Sequence, residues 1–134
     1  TRRSSDLLTN SIKNTMKALN LSLLDYTTLA DNTRSPGRYV FYIEIQEQAS
    51  LPLKNKIEQL LDKELRKSNL AYGRFRSNNR LANLKVIIVK PKTFYKIKEF
   101  LQNKGVSKNQ IKVPRVITTN KRIKNIIKNE IINL

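Results

Sequence analysis

The sequence predicts an α+β fold: a small mixed sheet that contains a β-hairpin, with about four helices packed on it. Residues 38–47, RYVFYIEIQE, alternate between two sets of side chains, which is typical of a strand. Several other stretches repeat apolar residues every three or four positions, which indicates helices with one buried face. A chain of 134 residues is long enough to bury a real core, so a single domain spanning residues 1–134 is expected.

The hairpin is predicted from two neighbouring strands and the turn between them. Residues 21–32, LSLLDYTTLADN, are rich in β-branched and aromatic side chains, and the alternating stretch 38–47 follows shortly after. The connection TRSPGR predicts a turn, in which Pro36 fixes φ and Gly37 tolerates a positive φ. Strands joined by so short a turn pair antiparallel.

Two helices are predicted on either side of this hairpin. The first carries apolar residues at helical spacing and ends near Asn20. Its start is open, because DLLT, residues 6–9, fits either the helix or a short separate strand. The second helix begins with Ser50 as its cap and Pro52 in its first turn, and it runs to about Lys67.

The second half of the chain predicts a further strand and two more helices. Residues 68–83 form an irregular basic segment in this interpretation, and the apolar run 84–90, ended by a proline, indicates a buried central strand. Thr93 is expected to cap the third helix, and Gly105 to end it. The short extended piece RVIT, residues 115–118, precedes a last helix rich in isoleucine.

Composition excludes several kinds of chemistry. The chain has neither Cys nor His, which excludes disulfides, thiolate or imidazole metal sites, and cysteine or Ser-His catalysis. No metal site is therefore assigned. No apolar run approaches the roughly 20 residues that span a bilayer, and no signal-peptide pattern opens the chain. We expect a cytoplasmic protein without a membrane partner.

The net charge of +17 has two interpretations. It favours a polyanionic partner, such as nucleic acid, an anionic membrane surface or a phosphate-rich ligand. Alternatively, a genome rich in A and T inflates Lys together with Asn and Ile, and the charge then marks only a solvated surface. The even spread of the charges along the chain favours the second interpretation.

The segment YGRFRSNNR, residues 72–80, also has two interpretations. Its alternating aromatic and arginine side chains are typical of a groove for single-stranded nucleic acid. The alternative is a loop in which Tyr72 and Phe75 cap the core while the arginines stay in water. The absence of any accompanying nucleic-acid-binding motif favours this alternative. Asp25 and Glu44 come from separate strands and are not expected to form a site with paired carboxylates.

Two long stretches together resemble the C-terminal domain of the GH3 family of acyl-acid amido synthetases, members of the adenylate-forming superfamily. In DYTTLADNTRSPGRYVFYIEI, residues 25–45, the pairs Tyr-Thr, Ala-Asp, Pro-Gly and Tyr-Val and a later Glu follow the family's order. In residues 84–115 a strand ends in a Pro turn and Thr-Phe opens a helix. A Gly-containing loop then leads to NQIKVPR. The opening TRRSSDLLT resembles the family's entry into this domain, whereas Val113 stands where plant members usually have Thr.

The resemblance implies that the chain is the C-terminal domain of a longer two-domain ligase whose N-terminal domain is absent here. Such enzymes activate a small carboxylic acid with ATP and Mg²⁺ to an acyl-adenylate, and then transfer the acyl group to an amine, usually an amino acid. The small domain moves between the two half-reactions. The fragment alone is expected to be inactive and to bind neither ATP nor Mg²⁺. Its partner is its own N-terminal domain, and no specific nucleic acid is expected.

The resemblance also implies a catalytic role for Lys112. A preorganised ammonium in a closing cleft stabilises the negative charge that develops as pyrophosphate leaves. Pro114 stiffens the chain two residues later, and Asn109 and Gln110 fit loop support better than ligand contact. Arg115 serves either a phosphate or a neighbouring carboxylate. Among 27 Lys and Arg residues, only its position in the motif distinguishes Lys112 from a solvated lysine.

Arg2 and Arg3 lie where the family joins its two domains. This position implies a hinge or interdomain role for them. The alternative is a frayed basic terminus.

Overall fold

The computed structural model describes residues 2–103, 116–117 and 121–134, with side chains described for 6–103 and 121–134. The predicted α+β class is confirmed, with five helices in these ranges rather than about four. The elements in chain order are α1 (Arg2–Ala18), β1 (Leu23–Asp31), β2 (Arg38–Ile45), α2 (Leu51–Ser68), α3 (Leu70–Ser77), β3 (Lys85–Ile88), α4 (Thr93–Asn103), β4 (Val116–Ile117) and α5 (Lys121–Lys128).

The sheet is mixed and is built around the predicted hairpin. Its strand order is β3-β2-β1-β4, with β1 and β2 antiparallel, β3 parallel to β2 and β4 parallel to β1. The turn between β1 and β2 needs a glycine for space rather than for a positive φ. A Cβ on Gly37 would lie 2.8 Å from Oδ1 of Asn32 and 3.2 Å from the carbonyl oxygen of Asp31. The peptide bond before Pro36 is cis.

The prediction that the run 84–90 is a central strand is wrong, because β3 lies at one end of the strand order. Its outer side is nevertheless covered by the C-terminal residues. Val89 forms an antiparallel bridge with Ile131, and the amide of Ile132 donates to the carbonyl of Ile88 at 3.0 Å. The C-terminal residues thus cover the end of β3, and Val86, Ile88 and Val89 are buried although the strand lies at the edge of the sheet.

Two apolar layers lie on opposite faces of the sheet. On one face, α1, α2 and Tyr72 of α3 pack against alternate residues of β2, including the fully buried Phe41 and Ile43. On the other face, α4 and α5 pack together through Phe94, Ile97 and three further buried residues, Val89, Ile123 and Ile127. Alternation along β2 therefore divides its side chains between two cores, as its sequence pattern predicts.

The first helix is a single element, and residues 6–9 lie within it rather than in a separate strand. It is followed by a turn that contains a left-handed residue, Asn20, with φ of 56°. The amide of Leu21 reaches back to the carbonyl of Met16 at 2.8 Å, which satisfies one of the last carbonyls of the helix. The capping prediction for α2 is confirmed: Ser50 accepts the amide hydrogen of Leu53 at 3.3 Å, and Pro52 lies in the first turn.

The prediction of an irregular segment over residues 68–83 is wrong, because Leu70–Ser77 form helix α3. Asn69 caps this helix by accepting the amide hydrogen of Tyr72 at 3.1 Å. The sequence shows no helical stripe here since α3 buries chiefly Tyr72 and is otherwise held by polar contacts. Across the described ranges, no helix combines the length and apolar character that a membrane crossing requires.

Candidate functional site

The residues predicted for the catalytic loop lie outside the described part of the chain. They are Asn109, Gln110, Lys112, Pro114 and Arg115, and the glycine predicted to end the third helix, Gly105, lies outside it as well. Arg2 and Arg3 open helix α1, while their side chains are not among those described. The roles assigned to all these residues therefore stay predictions.

The elements that flank residues 104–115 are joined to the rest of the fold. On one side α4 ends at Asn103, after burying Phe94 and Ile97 against α5. On the other side β4 begins at Val116, which pairs with Thr28 in the middle of β1. The segment that contains the predicted loop thus connects helix α4 to a strand of the sheet.

A cavity of about 480 Å³ lies where β1 begins, β2 ends and α4 starts. It contains charged side chains of both signs together with apolar ones. The described residues that line it are Leu24, Asp25, Glu44, Lys92, Phe94, Tyr95 and Lys98.

A β-bulge shapes the rim of this cavity. Leu23 pairs with Ile45, but Asp25 pairs with Glu44, so Leu24 is an extra residue on β1. The bulge turns Leu24 outward, where 54% of its surface is exposed. Such a bulge re-aims side chains locally, and here it brings an apolar side chain to the mouth of a charged cavity.

Glu44 lies at the centre of the cavity, and no local sequence pattern indicates its role. It is buried, and its carboxylate accepts the amide hydrogens of Lys92 at 3.1 Å and Phe94 at 3.0 Å. These are free donors at the start of α4, where a negative charge also favours the helix dipole. The prediction that Thr93 caps this helix is wrong, because its hydroxyl donates to the carbonyl of Lys90 instead.

The structure brings Asp25 and Glu44 opposite each other, although they belong to separate strands. Counting back along both strands from the pair Asp31–Arg38 leads to this pair, so the hairpin register was the signal to follow. Oδ1 of Asp25 accepts the amide hydrogen of Tyr26 at 2.8 Å, and Lys98 Nζ lies 3.9 Å from Oδ2. Both carboxylates thus act as acceptors for the fold, and the site is an ordered support beneath α4 rather than an acid–base pair.

A second polar cluster centres on Asp62 of α2. Its carboxylate accepts hydrogen bonds from the Tyr72 hydroxyl and from Nε of Arg76 at 2.9 Å, and Arg66 Nε lies 3.0 Å away. Burial opposes ionisation of Asp62, but the hydrogen bonds from Arg76 and Tyr72 outweigh it and lower the pKa of the carboxyl. Burial and the Asp62 hydrogen bond raise the pKa of Tyr72.

This cluster corrects the interpretation of residues 72–80 as a loop with solvated arginines. Tyr72 is buried as expected, whereas Phe75 is 41% exposed and does not cap the core. The side chain of Arg76 is only 14% exposed and bridges α2 to the residues after α3. The aromatic and arginine side chains of this stretch therefore face different surroundings, unlike the continuous platform that single-stranded nucleic acid requires.

No metal site is formed by the residues that the structure describes, since no three of their acidic side chains come together. The described elements instead form a mixed sheet between two helical layers. These features define the class of small C-terminal domains of acyl acid amido synthetases.

The chain belongs to the GH3 family, because the family model described as the GH3 family C-terminal domain matches residues 6–121. It is 31% identical over 115 residues to the indole-3-acetic acid-amido synthetase GH3.5 of Arabidopsis thaliana, a match that covers 82% of this chain and 19% of that protein. It is 30% identical over 107 residues to the indole-3-acetic acid-amido synthetase GH3.8 of Oryza sativa subsp. indica, covering 72% of this chain and 17% of that protein.

A solved structure supports the same assignment. The fold is similar to that of the GH3.15 acyl acid amido synthetase, with a TM-score of 0.85 and 26% identity over 96% of this chain and 24% of that one. The chain thus spans about a fifth of the length of the curated relatives it matches. Neither these similarities nor the described structure favours the alternative of a nucleic-acid-binding domain.

Proposed function

We propose that this chain is the mobile C-terminal domain of a two-domain, ATP-dependent acyl-acid amido synthetase. The observation that supports the proposal most is its fold likeness to one such enzyme over nearly its whole length. The partner is the N-terminal domain of the same protein. That domain would supply the phosphate loop and the substrate pockets. This chain has only three glycines, and no Gly-rich stretch that could form such a loop.

The proposed reaction has two half-reactions and two small substrates. A carboxylic acid is first activated as its adenylate, and the acyl group then passes to the amine of an amino acid, so that an amide forms and AMP leaves. The names of the relatives, which are amido synthetases for indole-3-acetic acid, support an organic acid of similar kind. The cytoplasm expected from the sequence suits this reaction, because it supplies ATP and free amino acids.

ATP and Mg²⁺ would be held mainly by the N-terminal domain. In the described part of this chain no cluster of acidic side chains fits a divalent cation. Bound ATP would supply the adenylyl group that activates the acid, with pyrophosphate as the leaving group. The task left to this chain is to bring positive charge to that group and to exclude water when the two domains close.

Lys112 is the residue that we propose for this task. It precedes β4 by four residues, and such a length of chain spans at most about 14 Å. The lysine ammonium therefore reaches no farther from Val116 than that distance plus the length of its own side chain. Val116 itself pairs with β1. An anchor of this kind limits the positions that the lysine samples, and a preorganised charge is worth more to a transition state than a mobile one.

The neighbouring motif residues are proposed as support for Lys112. Pro114 restricts the backbone between the lysine and β4, Asn109 and Gln110 shape the segment, and Arg115 contacts a phosphate or a carboxylate. Arg2 and Arg3 are proposed as part of the hinge. Because they open the long helix α1, a rotation near them would carry the whole domain as one body.

The experiment that tests this function is acid-dependent exchange of pyrophosphate into ATP. The full-length protein should exchange pyrophosphate only when a suitable carboxylic acid is present, and should form an amide when an amino acid is added. The 134-residue chain alone should fold and show no exchange. Exchange by this chain alone, or none by the full-length protein across a panel of aryl and indolyl acids, would contradict the proposal.

A further inference from the structure

A basic groove of about 350 Å³ lies at the turn end of the hairpin, far along β1 from the cavity at Leu24. Its cationic side chains come from four different places: the turn, β2, α2 and β3. They are Arg34, Arg38, Lys54 and Lys85, and Glu58 is the one carboxylate among the described lining residues. The lining alone carries a charge of about +3, and Asp31, which pairs with Arg38, lowers the local charge to about +2.

Two of the four cations are held in place by carboxylates, one outside the groove and one in its lining. Arg38 Nε lies 3.2 Å from Oδ2 of Asp31, whose other oxygen accepts both the amide and the hydroxyl hydrogen of Thr33. These hydrogen bonds from Thr33, together with Arg38, lower the pKa of Asp31. The pair engages only Nε of Arg38 among the described contacts, so the terminal guanidinium nitrogens remain to bind a ligand.

Lys54 is fixed in a similar way. Its Nζ lies 3.0 Å from Oε2 of Glu58, and the same oxygen accepts the amide hydrogen of Val86 at 2.8 Å. Glu58 thus ties α2 to β3 and keeps an ammonium at the groove with two donors to spare. Because these side chains are already ordered, a ligand would bind them without the usual loss of side-chain entropy.

The other two cations have no such partner. Within residues 6–103 and 121–134, neither Arg34 nor Lys85 forms a salt bridge. Both project into the same groove as the two anchored cations. Because the two carboxylates compensate only two of the four cations, a net positive charge remains in one concavity, and an anion bound there would offset it.

The wall of the groove, residues 82–84, is held by hydrogen bonds to the hairpin turn and to Arg76. The amide of Ala82 donates to the carbonyl of Gly37 at 2.8 Å, which ties the wall to the hairpin turn. Arg76 donates to the carbonyl of Leu81 at 3.3 Å and to Oδ1 of Asn83 at 3.2 Å. The cluster around Asp62 therefore positions one side of the groove.

We propose that this basic groove binds a small anion with two or more phosphate groups, of the pyrophosphate class. Arginine and lysine together suit such a ligand, since a guanidinium binds two oxygens of one phosphate and an ammonium acts as a point charge. The volume holds on the order of ten water molecules, which is more than a single phosphate needs. A monocarboxylate would leave most of the positive charge unpaired.

The test is a titration of the 134-residue chain with inorganic pyrophosphate at about 0.15 M salt. Calorimetry and amide chemical shifts measure the binding. We expect one saturable site, with the largest shifts at residues 34–38 and 82–85. The double variant Arg34→Gln/Lys85→Gln should weaken binding at least tenfold. The matched control, Lys17→Gln/Arg74→Gln, removes the same charge from exposed positions on α1 and α3 and should change affinity less than twofold.

Each contrary outcome overturns the proposal. Absence of a saturable site, shifts spread over the whole surface, or equal weakening in both double variants would show that only net charge is at work. A second titration uses a short single-stranded oligonucleotide, because it carries similar phosphate groups on a polymer. If it saturates the groove at this salt while pyrophosphate does not, the small-molecule ligand is wrong. Far-UV circular dichroism verifies that each variant remains folded.

Discussion

Replacing Arg76 with Ala tests whether the cluster around Asp62 holds α2, α3 and the following residues together. The change removes the hydrogen bonds from Arg76 to Asp62, to the carbonyl of Leu81 and to Oδ1 of Asn83. The side chains of Arg76 and Asp62 are only 14% and 13% exposed. We expect a loss of unfolding free energy together with an unchanged overall fold.

The expected loss follows from the contacts that disappear. A hydrogen bond to a charged group contributes about 1.5–3 kcal/mol, and a further neutral one about 0.5–1.5 kcal/mol. Removing the sole partner of a buried charge costs about 3–5 kcal/mol. Asp62 keeps Arg66 and Tyr72, so the cost of Arg76→Ala should be lower, about 2–4 kcal/mol.

The same carboxylate offers a matched control. Arg66 also pairs with Asp62, at 3.0 Å, but its side chain is 43% exposed. Exposed pairs at this helical spacing contribute about 0.3–0.5 kcal/mol, so Arg66→Ala should cost less than about 1 kcal/mol. Urea unfolding followed by far-UV circular dichroism, extrapolated to water, measures both values. A loss from Arg66→Ala equal to or greater than that from Arg76→Ala would refute the reasoning.

Three further predictions concern buried polar groups. Because its neighbours lower the pKa of Asp62 below the ordinary 3.8, its stabilisation is present above that value and is lost as pH falls through the lowered pKa. The stability gap between the parent and Asp62→Asn should therefore be full at pH 7 and shrink below about pH 4. Glu44→Ala leaves two amides of α4 without their acceptor and should cost about 2–3 kcal/mol, while Glu44→Gln keeps one acceptor and should cost less. Thr28→Val should stabilise by about 1 kcal/mol, because the buried hydroxyl of Thr28 has no hydrogen-bond partner in the described structure.

Urea unfolding across a pH series measures all three effects, and each has its own contrary result. A gap for Asp62→Asn that stays constant from pH 7 to pH 3 would contradict the sign derived for its pKa. Equal stability of Glu44→Ala and the parent would show that water replaces the carboxylate at α4. A destabilised Thr28→Val would mean that the hydroxyl is paired after all.

Local signals explain which parts of the fold were predictable. The hairpin and the start of α2 depend on residues adjacent in the chain: alternating side chains on either side of a short turn, and Ser50 followed by Pro52. Such patterns act through backbone geometry and nearby hydrogen bonds, so the sequence carries them directly.

The errors share a different cause, which is contact between distant residues. Helix α3 depends on the bond between Tyr72 and Asp62, and the start of α4 is capped by Glu44 from β2, 50 residues from Phe94. The apolar run of β3 looked central because the C-terminal residues cover its outer edge. No local pattern encodes these contacts.

The candidate site was predicted in a third way. Lys112 and its neighbours were identified by resemblance to the GH3 family, and a blind choice among the chain's 27 basic residues would not have selected them. The described structure adds the elements on either side, α4 and β4, while the loop roles stay predictions. The Asp25–Glu44 pair was within reach of the sequence, since the hairpin register places the two residues opposite each other.

The central claim is that this domain presents Lys112 to the first half-reaction and withdraws it for the second. The direct measurement compares Lys112→Ala with the parent in the full-length protein, by pyrophosphate exchange and by single-turnover amide formation from a synthetic acyl-adenylate. Loss of one preorganised charge costs on the order of 10²–10³ in rate, so exchange should fall by that factor while amide formation stays nearly unchanged. Lys108→Ala, four residues earlier, should leave both rates near those of the parent. Exchange at the parent rate in Lys112→Ala, or an equal fall in both half-reactions, would contradict the account.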